Sequence, residues 1–291
     1  MMNFSGAVAP KLASRFSYRT LGKVLRSDRP LDTDAIRAHV PSVFAEDAHN
    51  SRSARYAYIP TIDVVNGLAE EGFRPFFAVQ SKSRTEGKTE FTKHMLRFRH
   101  ESALALGKPD VNEIILINSH DGSSSYQMMG GVFRFVCQNG CIAGDVSSDI
   151  RIKHSGNILE SVVSGAMELL ANFSRIDESK DEMKAINLLP HEANAFALGA
   201  LAERFEDKDS PLTPDQILAS RRCEDRSNDL WTTFQRVQEN VIRGGIQGRT
   251  VDANGRSKYR DTRAVTGIDQ NVRLNRGLWA MAEALRAHKT T

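Results

Sequence analysis

The apolar residues of this chain change their spacing once, near residue 157, and that change fixes the class of fold. Upstream, Phe73 to Lys82 and Phe91 to His100 alternate with a period of two, as strands do when successive side chains point to opposite faces. Gly87 lies between them and predicts a hairpin turn. Val111 to Asn118 is short, β-branched and apolar on both faces, as a central strand requires. A further strand is expected through Val132 to Cys137, after which Gln138-Asn139-Gly140 turns the chain toward Cys141 to Gly144. The connections are too short for crossovers, so the pairing is antiparallel. From Asn157 onward Ile158, Val162, Val163, Ala166, Leu169, Leu170 and Phe173 form a stripe of helical spacing. Helical patterns then continue through Pro190 to Phe205, a capping box at Thr213-Pro214-Asp215-Gln216, and Leu230 to Ile242, closed by Gly244-Gly245. A last helix carries Val272, Leu278, Trp279 and Leu285. The expectation is an α+β fold: an antiparallel β-sheet of four or five strands over about residues 72–153, then a mostly helical C-terminal half.

Residues 1–30 hold few large apolar side chains and end at Pro30, so they read as a basic N-terminal arm, with 31–291 as one domain. A short helix is expected after Pro60, with Thr61 as its N-cap and Gly72 beyond its end. Residues 246–269, rich in Gly, Arg and Asn, read as an Arg-rich loop, longer than structureless connections usually are. No run of 18 apolar residues and no signal peptide is visible, so no membrane is expected and a cytoplasmic location is. Three cysteines (Cys137, Cys141, Cys223) cannot close a disulfide set, which suits a reducing compartment.

The net charge of +3 conceals a segregation along the chain. Residues 1–30 carry six cations against one acid, residues 80–100 six against two, and residues 240–276 eight against three. Between residues 157 and 219 twelve acids face five bases. If the basic segments converge, they attract a polyanion; the plainer reading is that the acidic helices pair with them. In the strand Phe91 to His100, Leu96 and Phe98 share a face with His94, while Lys93, Met95, Arg97 and Arg99 form the other, largely cationic one. In the Arg-rich loop, Arg249, Arg256, Lys258, Arg260 and Arg263 are interleaved with Tyr259. Guanidinium forks suit phosphate and an aromatic ring suits a base. Lys93, Arg97, Arg99, Arg256, Lys258, Tyr259, Arg260 and Arg263 are therefore the candidate nucleic-acid-binding residues.

Other motifs carry less. Cys137 and Cys141 are spaced C-x3-C, with His120 or His154 as conceivable further zinc ligands, but no second Cys pair exists and core cysteine is the better reading. In Ser119-His120-Asp121-Gly122, Asp121 is expected to bond its own backbone two residues on, with Gly122 at positive φ. His191-Glu192 lacks the second histidine of a zinc protease helix. Gly244-Gly245 lacks the lysine and hydroxyl of a phosphate loop. No catalytic residue, metal ligand or cofactor is assigned.

The turn Ser119-His120-Asp121-Gly122, the stretch Arg134-Phe135-Val136-Cys137-Gln138-Asn139-Gly140, and the segments Thr262 to Asp269 and Asn275 to Trp279 recur in this order in one known group. Over roughly residues 55–285 the chain resembles the domain-of-unknown-function family 932, a phage- and plasmid-like protein family. Its motif residues here are His120, Asp121, Gly122, Arg134, Cys137 and Asn139. The resemblance implies no activity, since the family has none established, and implies mobile genetic elements as the setting. Gly140 stands where many members carry Thr, so no role is assigned to that side chain. The leading expectation is a nucleic-acid-binding accessory protein, with single-stranded DNA or RNA as partner. A protein-interaction module docking through the acidic helices is the alternative, and an enzyme using His120, Asp121 and Cys137 ranks third.

Overall fold

The computed structural model describes residues 24–47, 58–83, 87–104, 108–135, 139–144, 149–154, 156–206, 209–251 and 254–290. Within them the fold is α+β, with an antiparallel sheet in the N-terminal half and a helix-rich C-terminal part. The edge strand β1 (Val24–Arg26) pairs with β2 (Phe73–Gln80), and β3 (His94–His100), β4 (Asp110–Asn118) and β5 (Tyr126–Arg134) follow as a meander. The outer edge of β5 is shared by two short strands. β6 (Asn139–Ile142) runs along Gly131 to Arg134, and β7 (Ile150–Ile152) along Tyr126 to Met128.

The seven strands exceed the expected four or five for identifiable reasons. β1 and β7 have three residues each, too few to display a period. The first half of β5 is masked in the sequence by Gly130-Gly131. Within the segment 1–30 read as an arm, Val24–Arg26 pair with the sheet; residues 1–23 of that segment lie outside the described residues. β4 is central, as its sequence requires, and all nine of its residues are buried.

The helices are α1 (Thr33–His39), α2 (Thr61–Glu70), α3 (Glu101–Leu104), α4 (Ile158–Ala171), α5 (Phe173–Ala185), α6 (Pro190–Phe205), α7 (Pro214–Leu218), α8 (Leu230–Arg243) and α9 (Ile268–Thr290). At α7 the expected capping box forms, the Thr213 amide donating to Gln216 Oε1 at 3.0 Å. One face of the sheet, through Phe73, Leu96, Phe98, Ile114 and Leu116, packs on Val64, Val65 and Leu68 of α2 and on Ile158, Val162 and Leu169 of α4. That core runs on into the helical half, where Trp231 stacks on Phe234 at 5.6 Å and Trp279 meets Phe234 edge-on at 5.9 Å. The opposite face carries a smaller cluster of Val79, Met95, Ile115, Ile117, Met129 and Ile142, which Ile268 and Val272 of α9 cover.

Ion pairs join the two halves. Lys180 of α5 is buried, and its Nζ reaches Asp110 at 2.6 Å and Asp177 at 2.8 Å. Burial would lower its pKa, but the two carboxylates outweigh that and hold it above the ordinary lysine value. Cations of α9 pair with the acidic helices: Arg273 with Glu206 at 2.6 Å, Lys289 with Glu192 at 2.8 Å, and Arg286 with Glu182. Three acids of the segment 157–219 are thus paired with cations of the last helix.

The smaller face also corrects an expectation. Arg97 and Arg99 do share a face with Met95, but it is internal: they are 6 % and 1 % exposed. Glu113, fully buried on the neighbouring β4, accepts from Arg99 Nε at 2.8 Å and from Arg97 Nη1 at 3.3 Å. The Arg99 guanidinium carbon lies 4.0 Å from the Phe133 ring and 4.3 Å from Phe76. Arg97 lies over Gly140, where a Cβ would stand 1.9 Å from its Nη1, so the position admits no side chain without moving the guanidinium. Two arginines thus share one carboxylate away from water, and removing its charge leaves both uncompensated. Glu113→Gln should lower stability by about 3–5 kcal/mol, measured as a reduced midpoint in urea unfolding; a change within about 0.5 kcal/mol would show that the carboxylate is dispensable.

Candidate functional site

Two places combine functional side chains. The first lies in the segment expected to be a structureless loop, which instead contains an antiparallel ribbon of β8 (Gln247–Val251) and β9 (Ser257–Asp261). The overlooked signal was Asn254-Gly255, a turn pair between β-forming residues, with Gly255 at φ +74°. The base of the ribbon is anchored. The Arg249 amide donates to the Pro211 carbonyl at 2.8 Å, Gln216 Nε2 to the Gln247 carbonyl at 2.9 Å, and the Gly245 amide to the Thr262 carbonyl at 2.8 Å. Gly244 makes the junction with α8, with φ +65° and space for a Cβ denied by the Thr262 carbonyl oxygen at 2.7 Å.

Beyond that base the ribbon is open to solvent. Every residue of the two strands is exposed except Gly248, and Tyr259 is 61 % exposed. The pairing of Arg249 with Tyr259 and of Thr250 with Lys258 sorts the side chains. Arg249, Val251 and Tyr259 share one face; Thr250, Lys258 and Arg260 share the other. Five cations face two acids between residues 246 and 263. The structure therefore brings Arg256, Lys258, Tyr259 and Arg260 together on one projection, with the exposed Arg263 just past its base. The β3 candidates do not join them. Arg97 and Arg99 are internal, and Lys93 is bound to Asp269 at 2.7 Å, because Glu113 and the start of α9 supply the carboxylates.

The second place is where the family-motif turn meets the sheet. Thr61, read from the sequence as a helix cap, is the first residue of α2, with Pro60 at the cap position. Its buried Oγ1 lies 3.0 Å from His94 Nε2, 3.0 Å from His120 Nε2, 3.1 Å from Asn118 Nδ2 and 3.3 Å from the Tyr126 hydroxyl. The protons can be assigned by counting. His94 Nδ1 is 3.2 Å from the Thr92 carbonyl, which only accepts, so Nδ1 carries the proton and Nε2 accepts from Thr61. The one hydroxyl proton of Thr61 is then used, so His120 Nε2 donates to Thr61 and His120 Nδ1 keeps a bare lone pair. That atom is buried without a hydrogen-bond partner among the described residues. Burial, reinforced by the His120 ring, lowers His94 to about 3; burial, reinforced by His154, lowers His120 to about 4. Both are neutral imidazoles at ordinary pH.

The remaining motif residues have structural partners. Asp121 Oδ1 accepts from the Ser123 amide at 2.9 Å, with Gly122 at φ +77°, the expected turn. Burial raises the Asp121 carboxyl, but the hydroxyl and amide of Ser123 outweigh it and hold the group below its ordinary value. Arg134 pairs with Asp225, which also holds Arg222 at 2.6 Å, tying β5 to the helical half. Cys141 is buried in the core. Cys137 lies outside the described residues, and of Asn139 only the backbone, paired with Arg134 in the sheet, is described. Thr61, His94, Asn118 and Tyr126 escaped the sequence reading because they sit at the ends of four separate elements, and no local pattern joins them.

The family model described as "Domain of unknown function (DUF932)" matches residues 48–279. Among curated proteins, the chain is 52% identical over 275 residues to "UPF0380 protein YafZ" of Escherichia coli (strain K12), covering 94% of this chain and 97% of that protein. It is 50% identical over 275 residues to "UPF0380 protein YfjQ" of the same organism, with the same coverage of 94% and 97%. No solved structure matches. Among the described residues no helix is long and apolar enough to cross a membrane.

The buried histidines set a pH dependence. Their folded pKa values lie below the unfolded value of 6.5, so the unfolded chain binds the extra protons; the stability they provide is complete above 6.5 and is lost as pH falls toward 4 and then 3. Each histidine contributes a slope approaching about 1.4 kcal/mol per pH unit in that window. Urea unfolding from pH 7 to pH 4 should show a steep loss in the native protein and a shallower one in His94→Gln. Equal slopes would place the acid sensitivity elsewhere.

Proposed function

The chain belongs to the DUF932 family, and because that name carries no activity we propose from its own residues that it binds nucleic acid, gripping single-stranded DNA through the β8–β9 ribbon. The observation that carries this reading is a solvent-exposed Tyr259 among Arg256, Lys258 and Arg260 on an anchored projection. A tyrosine ring stacks on any base, Arg249 on the same face of the ribbon neutralises a phosphate beside it, and Lys258 and Arg260 on the opposite face hold the phosphates of a strand that wraps around the ribbon. A two-stranded ribbon reaches where a globular surface does not, because its side chains stand out on both faces. The internal arginines of β3 have no part in this interface, and neither has the buried histidine cluster.

Fluorescence anisotropy with a labelled single-stranded oligonucleotide across a salt series tests the proposal. Affinity should fall steeply with salt, by about 0.7 logarithmic units per neutralised phosphate for each tenfold rise in salt. Replacing Arg256, Lys258 and Arg260 together by Ala should shrink that slope by about 2. Tyr259→Ala should cost about 1–3 kcal/mol of binding without changing the slope. Absence of binding at about 50 mM salt, or a triple variant that binds as the native protein does, overturns the proposal and favours a protein partner for the ribbon.

A further inference from the structure

The last turn of α8 meets the base of the ribbon at Gly244, and arginines gather there from three parts of the chain. Arg243 precedes the glycine on the helix. Arg221, from the segment after α7, donates Nε to the Asn240 side chain at 2.6 Å and Nη2 to the Gly244 carbonyl at 2.7 Å, so it spans that last turn. Arg263, just past β9, crosses the glycine as well: a Cβ at Gly244 would stand 2.8 Å from the Arg263 carbonyl carbon.

Carboxylates are too few for these cations. Asp225 is shared by Arg134 and Arg222, and Glu239 by Arg222 and Arg243, so three guanidinium groups have two carboxylates between them. Arg221 has none: both of its bonds go to neutral oxygens, and its Nη1 has no acceptor among the described residues. The exposed Arg263 side chain has no partner among them either. The carbonyl end of α8 offsets only about half a charge. Burial lowers the pKa of Arg221; Glu239 opposes that, while Arg243 and Arg222 add to it, as like charges do when counter-charge is short. The pairs that exist also leave donors open. Arg243, 40 % exposed, spends Nη1 on Glu239 at 2.9 Å and has two further nitrogens. Arg221, Arg243 and Arg263 thus present unspent donors at one place, beside the ribbon whose cations they continue.

We propose that this junction is a phosphate-binding site, and that it holds the backbone of the strand where that strand leaves the ribbon; the second half rests on the strand-binding reading, the first does not. Guanidinium donors with charge to spare suit phosphate, whose several oxygens accept planar forks from more than one side. The anion takes only open donors. The pairs of Arg222 with Asp225 and Glu239 stay in place, so no buried carboxylate is stranded when it binds.

Calorimetric titration of the full chain with inorganic tripolyphosphate, which carries phosphate without base or sugar, tests the site itself, and the salt dependence of oligonucleotide anisotropy tests its part in holding a strand. The double variant Arg243→Ala/Arg263→Ala spares the bonds of Arg221 to α8 and leaves Glu239 with Arg222, and thermal melting should show its fold retained. Tripolyphosphate should bind the native chain with Kd below about 1 mM and the double variant at least about tenfold more weakly. Arg263→Glu, at an exposed side chain without a partner among the described residues, should weaken it by a similar factor. The ribbon triple variant should keep tripolyphosphate. For the oligonucleotide, the salt slope of the double variant should fall by about 1.4, two phosphates at about 0.7 each. Tripolyphosphate binding that the double variant loses, in a native chain that ignores the oligonucleotide, supports the phosphate site and overturns the ribbon reading alone. Oligonucleotide binding whose slope the double variant leaves unchanged overturns the junction and leaves the ribbon reading standing. Absence of saturable tripolyphosphate binding up to about 10 mM, or native binding by both the double variant and Arg263→Glu, overturns the junction as well.

Discussion

Glu113 holds two guanidinium groups inside a sheet, and much of the molecule is arranged around that arrangement. A carboxylate buried on a central strand needs cationic partners that are themselves dehydrated, and Arg97 and Arg99 on the adjacent strand supply them. The register of β3 on β4, with Arg97 opposite Ile115, puts them within reach. A slip by one residue would carry both arginines to the other face, against Val64 and Leu68 of α2, and leave Glu113 alone. The pair thus specifies register as much as it stabilises. Its influence reaches further through Gly140, whose carbonyl accepts from Arg97 Nη2 at 3.4 Å and from Gln238 of α8 at 3.3 Å. Sheet centre, sheet edge and helical half meet at that one carbonyl.

How much of this the sequence discloses depends on the range of the interaction responsible. Periodicity is local, so β2, β3, β4, α4, α6 and α8 are legible: Val111 to Asn118 reads as a central strand and is one, and α6 begins at Pro190 and ends at Phe205 as its pattern requires. Cap and turn chemistry is also local, and the Asp121-Gly122 turn and the Thr213 capping box form as residue types dictate. What alternation cannot convey is which face of a strand meets water. Met95, Arg97 and Arg99 alternate correctly with Leu96 and Phe98, but whether cations face solvent is decided by residue 113, on another strand. The single acid in the run Val111 to Asn118 was the clue, and it weighs nothing in a hydrophobicity pattern.

The histidine cluster has the same logic in polar form. Thr61, His94, Asn118, His120 and Tyr126 come from the start of a helix, the ends of three strands and a turn, and they close one end of the main core. Polar groups at such a place must satisfy one another or remain costly. A single hydroxyl that donates once and accepts from two nitrogens meets part of that demand, leaving His120 Nδ1 and Asn118 Oδ1 without a partner among the described residues. His120 therefore has an architectural part within the motif turn: Asp121 and Gly122 bend the chain so that the preceding ring is delivered to Thr61. The residue types of a hydrolytic site are present, but His120 and His94 are fully buried and Asp121 is engaged with Ser123.

These private pairings also explain why the ribbon stands apart. Several cations of the body have carboxylate partners at close range: Lys93 has Asp269, Arg97 and Arg99 have Glu113, Lys180 has Asp110, and Arg286 has Glu182. An internal ion pair is committed, since releasing either member strands the other in a medium that cannot solvate it. An exposed cation carries no such penalty and exchanges water and counterions for phosphate at small cost. The ribbon gathers exposed cations and an exposed aromatic ring on one slender projection. The anchoring contacts at Pro211, Gln216 and Gly244 hold the base of that projection to the body of the fold.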